Sequence, residues 1–194
     1  MRGTNEMLGE RGLPVLADLE AYRAVFGFPV EDYYRRIGLD LEREDFKTVL
    51  APLWVSLYNE YSKEAPLYHG VEPLTRALRQ AGVRQSILSA SEREMMCDQL
   101  RERGALDWFD EIWGTGSIHA YGKSALAAAW REAHTDAKAV LLGDTTHDFE
   151  VAGAIGADCI LIADGHHGRE RLLACGVSVV SDLFECAALL GFEL

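Results

Sequence analysis

Asp144 and Asp148 stand four residues apart in the stretch "LLGDTTHD". On a helix that spacing is close to one turn, so both carboxylates can face one point. Two carboxylates held together repel unless a cation sits between them. Magnesium, a hard ion that prefers oxygen ligands, suits such a pair, which makes Asp144 and Asp148 candidate metal ligands. The plainer reading makes Asp144 a turn residue and Asp148 a helix cap. It loses ground because Asp144 follows the apolar run "AVLLG" at 139–143, and open sheets bind ligands outside the carboxyl ends of their strands.

Two further positions share that placement. Ser89 closes the apolar run "QSIL"; its hydroxyl and the backbone at Ala90, leading into the next helix, are candidate phosphate contacts because helix N-termini favour anions. The plainer reading of Ser89 is a turn residue or extra cap, and Ser91 already fills the capping role. Lys123, in "AYGKSALAAAW", precedes a helix and can place a positive charge on a phosphoryl group; a lone lysine is otherwise an ordinary solvated side chain.

The elements that must position these residues change character along the chain. Residues 1–68 read as helical: Asp18 caps a segment with Leu19, Tyr22 and Phe26 on one face and Gly27 at its end. A second pattern runs through Phe46, Leu50, Leu53, Leu57 and Tyr61, with Pro52 expected to kink or split it. From about Tyr68 helices alternate with short apolar runs. Helices are expected from about Val71 to Gln80, from an S-x-x-E capping box at Ser91 and Glu94 to Gly104, from Ser124 to His134, and from Asp148 to Ile155. Strands are expected from Arg84 to Ser89, around Ile112 and Trp113, at 139–143 and 159–163, and at "VSVV", before a C-terminal helix. Continuous apolar runs such as "AVLLG" and "CILIA" suit parallel strands buried on both faces. The alternation predicts an α/β fold, a doubly wound parallel, Rossmann-like sheet, with a small α-helical cap. The boundaries are 1–68 for the cap and 69–194 for the core.

Taken together, these motifs resemble the haloacid-dehalogenase superfamily. An apolar strand ending in serine is matched at Ser89, a lysine before a helix at Lys123, and G-D-x-x-x-D at Gly143, Asp144 and Asp148. "GFPVEDYYRRIG" resembles the helical cap of the phosphoglycolate-phosphatase-like branch, and "GHHGRERLLACGV" its C-terminal region. The resemblance implies a magnesium-dependent phosphatase that hydrolyses a small phosphorylated metabolite through an aspartyl-phosphate. Lys123 and Ser89 would then be catalytic, Ser89, Ala90 and Lys123 would hold substrate, and Asp144 and Asp148 would hold Mg2+. Substrate choice would fall to the cap, with Phe28, Tyr33, Tyr34, Arg35 and Arg36 as candidates.

One family motif is missing. No D-x-D-G-T occurs in the 194 residues, so the nucleophile and the central strand before it are expected to be absent, through truncation, a late start or true loss of activity. The strands ending at Ser89 and Gly143 are then expected to close up and pair directly. The other outcomes are a strand from residues 1–12 in the slot, or a wet gap.

Bulk composition narrows the alternatives. The formal net charge of -12 disfavours a nucleic-acid partner. No apolar run reaches membrane-spanning length, and the N-terminus lacks the apolar stretch of a signal peptide. Cys97, Cys159, Cys175 and Cys186 form no C-x-x-C pair, which suits a reduced cytoplasmic protein, monomeric or weakly dimeric. Two competing readings remain: a non-catalytic pseudo-phosphatase that binds a phosphorylated ligand, and a P-loop-like nucleotide site in "GSIHAYGKS". Gly116 and Gly122 lie one position too far apart for the latter. His147 reads as a loop residue near the site, and no histidine pair has the spacing of a zinc helix.

Overall fold

The computed structural model describes residues 1–116 and 123–194. The first part is helical. It comprises α1 (Arg2–Glu10), α2 (Leu19–Val25), α3 (Val30–Arg36), a π-helical turn (Phe46–Leu50) and α4 (Ala51–Ser62). Asp18 caps α2 as its sequence predicts, accepting from the Ala21 N–H at 2.8 Å. Pro52 splits the second pattern: it takes a first-turn position of α4, where its missing N–H has no carbonyl to satisfy. Met7, Leu8, Tyr22, Tyr33, Tyr34, Phe46 and Leu50 bury one another in a core confined to this part.

The rest alternates helix and strand: α5 (Val71–Gln80), β1 (Ser86–Glu92), α6 (Arg93–Glu102), β2 (Glu111–Thr115), α7 (Ser124–Ala133), β3 (Val140–Gly143), α8 (Thr146–Ile155), β4 (Asp158–Ile162), α9 (Arg169–Leu173), β5 (Ser178–Val180) and α10 (Leu183–Leu189). All strand pairings among the described residues are parallel: β1 with β2, and β3 with β4 with β5. Helices cover both faces. Leu141 packs with Ala127, Val151 and Ile155 of α7 and α8, while its neighbour Leu142 packs with Leu74, Leu183 and Cys186 of α5 and α10. That alternation is the period-two signature of a strand between two helical layers. The architecture is the expected α/β, doubly wound one.

Four local expectations are corrected. β1 runs past Ser89 to Glu92, so the cap of α6 shifts with it. Glu92 accepts from the Glu94 and Met95 N–H groups at 3.0 and 2.7 Å, and the Ser91–Glu94 box does not form. α8 starts two residues before Asp148, which places His147 in a helical first turn rather than a loop. β3 is covered on both faces but less deeply than its apolar run suggests: Val140, at its start, is 45% exposed, and Leu141 and Leu142 are half-buried. Finally, β1–β2 and β3–β4–β5 are separate sheets, with no ladder between β1 and β3 among the described residues. Residues 2–10 are helical, so they supply no strand either. What joins the two sheets is the α7–α8 layer, where Leu88 of β1 and Leu141 of β3 share one apolar cluster. The carbonyl of Leu88 is taken by the Lys123 ammonium instead of by a strand N–H.

Candidate active site

The site grows from the end of β3. Thr145 caps α8 with an extended backbone. Its hydroxyl accepts from the Asp148 N–H at 3.3 Å and donates to Asp148 Oδ2 at 2.7 Å. The Thr145 and Asp144 N–H groups donate to the same oxygen at 2.9 and 3.1 Å. A residue with a short hydroxyl side chain at the cap and an acid three positions on satisfies the orphan donors of a helix start reciprocally, and here it fixes a carboxylate. Asp148 Oδ1 faces the Lys123 ammonium at 2.5 Å.

The pair is well removed from water, with side-chain exposures of 16% for Lys123 and 3% for Asp148. Burial raises the Asp148 pKa, but the Lys123 charge, its hydrogen bond and the Thr145 donors outweigh that and hold the group below its usual carboxylate value. Lys123 also donates to the Leu88 carbonyl at 3.3 Å, and its own N–H to His147 Nε2 at 3.4 Å. Lys123 therefore ties α7, α8 and β1 together, one residue from Ser89. The Ser89 hydroxyl accepts from the Ser91 N–H at 3.1 Å, and the Ala90 carbonyl accepts from Thr115.

Asp144 is held from the other side. Its Oδ2 accepts from the His166 N–H at 2.7 Å, and its carbonyl from the His167 N–H at 3.2 Å. Two glycines make room for these carboxylates. A Cβ at Gly143 would lie 2.3 Å from Asp148 Cβ, and one at Gly165 would lie 2.1 Å from Asp144 Oδ2.

The 164–168 loop also carries contacts with the helical part. Tyr22 Oη and His166 Nδ1 are 2.7 Å apart, and Phe26 stacks on the His166 ring with centroids 4.4 Å apart. Arg23 donates to the Gly165 carbonyl at 2.9 Å. Burial lowers the His166 pKa. His167 is pushed down to about 4, chiefly by burial with Arg171 adding to it. Its Nδ1 accepts from the Thr146 N–H at 3.0 Å, so the neutral ring carries its proton on Nε2.

Of the cap candidates, Phe28 comes to the site, its ring 5.2 Å from His147. Tyr33 and Tyr34 are 2% exposed and belong to the helical core. Arg35 pairs with Asp32 on the surface. The stretch "GSIHAYGKS" falls largely on 117–122, outside the described residues. Sequence reasoning missed Thr145, Gly165, His166 and Tyr22. The signal for Thr145 was present, a hydroxyl residue three before an acid at a helix start; nothing local marks Tyr22.

A set of three or more metal-binding side chains is not found among the described residues. Asp148 has both oxygens engaged, while no described donor reaches Asp144 Oδ1. Magnesium commonly takes one or two carboxylates and fills its shell with waters and substrate phosphate, so the donor set fits that ion with Asp144 as the open ligand and Asp148 beside it.

The model of the haloacid dehalogenase-like hydrolases matches residues 1–162. The chain belongs to this family. It is 24% identical over 173 residues to a probable phosphatase, IndB, of Dickeya dadantii, covering 86% of this chain and 75% of that protein. Among solved structures, a haloacid dehalogenase-like hydrolase from Streptococcus pneumoniae superposes with a TM-score of 0.81 at 20% identity, covering 97% of this chain and 89% of that one. The protein tyrosine kinase A of Mycobacterium tuberculosis superposes at 0.79 with 23% identity, covering 98% and 89%. At these identities the structural likeness speaks for the fold. No described helix is long and apolar enough to cross a membrane.

Proposed function

We propose that this chain provides the metal-binding and charge-neutralising half of a phosphatase site for a small phosphorylated metabolite. The observation that carries the reading is the buried Lys123–Asp148 pair set directly beside Asp144 at the carboxyl end of β3. A stable apolar packing would not need a buried ion pair here; a site that must present a cation to phosphoryl oxygens would. Lys123 can share its protons between Asp148 and an incoming phosphoryl oxygen. Ser89 and the backbone at Ala90 follow Leu88, whose carbonyl meets Lys123, and are assigned to the same group. Held by Asp144 with Asp148 beside it, Mg2+ would supply Lewis-acid neutralisation of the phosphoryl charge. The likeness to a probable phosphatase supports phosphate-ester hydrolysis as the reaction class, and Phe28, whose ring lies 5.2 Å from that of His147, is assigned the contact with the leaving group.

Family hydrolysis runs through an aspartyl-phosphate, and no D-x-D-G-T aspartate lies within these 194 residues. Losing a covalent nucleophile costs several orders of magnitude in turnover. The purified 194-residue chain is therefore expected to hydrolyse an aryl phosphate with magnesium at a rate indistinguishable from background. A robust rate abolished by Asp144→Asn would place an attacking group among the residues present and overturn this part of the proposal.

A further inference from the structure

We propose a second anion site, distinct from the phosphoryl site, in which Arg36 of α3 and Arg171 of α9 together clamp a small oxyanion, a phosphate or a carboxylate. Their terminal nitrogens converge at Gly27: each comes within 3.3 Å of the point a Cβ would take there. Gly27 follows Phe26 at the end of α2, so the meeting point lies where the helical part touches the core. Each guanidinium is oriented by a backbone carbonyl. Arg171 Nη1 donates to Phe26 O at 2.7 Å, and Arg36 Nε to Asp32 O at 3.1 Å. Neither is ion-paired with a carboxylate among the described residues; the nearby Asp32 carboxylate is engaged by Arg35.

That arrangement is unexpected in a chain with 31 acidic and 19 basic residues, where a carboxylate partner is statistically easy to supply. Two oriented like charges without a counter-ion repel, and an oxyanion bridging their free N–H groups removes that repulsion with charge-assisted hydrogen bonds. Both side chains are open to solvent, so a small anion can reach them. The site matters to the chemistry through its position. α9 directly follows the 164–168 loop whose His166 N–H holds Asp144, and Arg36 belongs to the helical part. An anion bound between them ties the two parts in the arrangement that keeps Tyr22 on His166.

The test is thermal unfolding of the full chain in magnesium-free buffer, with inorganic phosphate or malonate added against sodium chloride at matched ionic strength. Wild type is expected to gain about 3–6 °C at saturating anion. Arg36→Gln and Arg171→Gln should each lose most of that gain, whatever their own starting midpoints. A gain with phosphate alone assigns the site to phosphate, and a gain with malonate as well assigns it to oxyanions generally. The proposal fails if both variants keep the full gain, which would put the anion at Lys123, or if chloride reproduces it. Neither magnesium nor turnover enters the readout, so this result stands apart from the phosphatase reading.

Discussion

Lys123→Met is expected to destabilise the protein by about 3–5 kcal/mol, because it leaves the Asp148 charge buried without its partner. Asp148 is 3% exposed and cannot turn to water, since three donors from Asp144 and Thr145 fix its other oxygen. Leu88 loses the donor on its carbonyl as well. Chemical denaturation of wild type, Lys123→Met and Lys123→Met/Asp148→Asn reads the effect. The double variant should recover a substantial part, because its remaining side chain is neutral. The pH dependence has a definite sign. Asp148 has a folded pKa below its ordinary 3.8, so its contribution is present above that value and is lost as the pH falls through the depressed one. The gap between wild type and Lys123→Met should therefore hold at neutral pH and narrow in strong acid. A single variant as stable as wild type at pH 7 would mean the pair is open to water.

Gly143→Ala is expected to be nearly as damaging, by a different route. The new methyl would sit 2.3 Å from both Cβ and Cγ of Asp148, well inside contact distance. Those atoms belong to the capped first turn of α8, whose Val151, Ala152 and Ile155 are buried. Neither the strand nor the helix can yield cheaply, and overpacking of this kind costs about 1–3 kcal/mol or more. The relief available is displacement of Asp148 from Lys123, so loss of stability and loss of ligand binding should appear together. Gly165→Ala should separate them: its clash is with the Asp144 carboxylate at a loop, so magnesium affinity should suffer more than the unfolding midpoint. Equal behaviour of Gly143→Ala and wild type in both assays would contradict this account of the close packing.

How much of this was legible beforehand depends on how local the signal is. The strand–turn–helix at 139–155 could be read because a continuous apolar run, a glycine and a capping pair sit within a dozen residues. Asp18 as the cap of α2 was equally local. The end of β1 was not. "SASE" offers serine and glutamate caps at successive positions, and only the pairing of Glu92 with Thr115 extends the strand far enough to choose Glu92. Tyr33 and Tyr34 could not be assigned because an adjacent aromatic pair on a short helix has no internal mark of burial; their partners lie on α1 and the π-helical turn. The separation of β1 from β3 was also hidden. Counting backbone partners favoured direct pairing, whereas the folded chain meets part of that demand with a lysine ammonium from 35 residues away. Tyr22 on His166 spans 144 residues, and no spacing rule reaches that far.

The most direct test of the central claim is calorimetric titration of the 194-residue chain with a non-hydrolysable phosphate-monoester analogue, with and without magnesium. Binding is expected to need Mg2+, to be abolished by Asp144→Asn, and to be weakened about tenfold or more by Ser89→Ala with folding intact. Binding that is indifferent to magnesium and unchanged in Asp144→Asn would contradict it, and would place the phosphoryl group away from the end of β3.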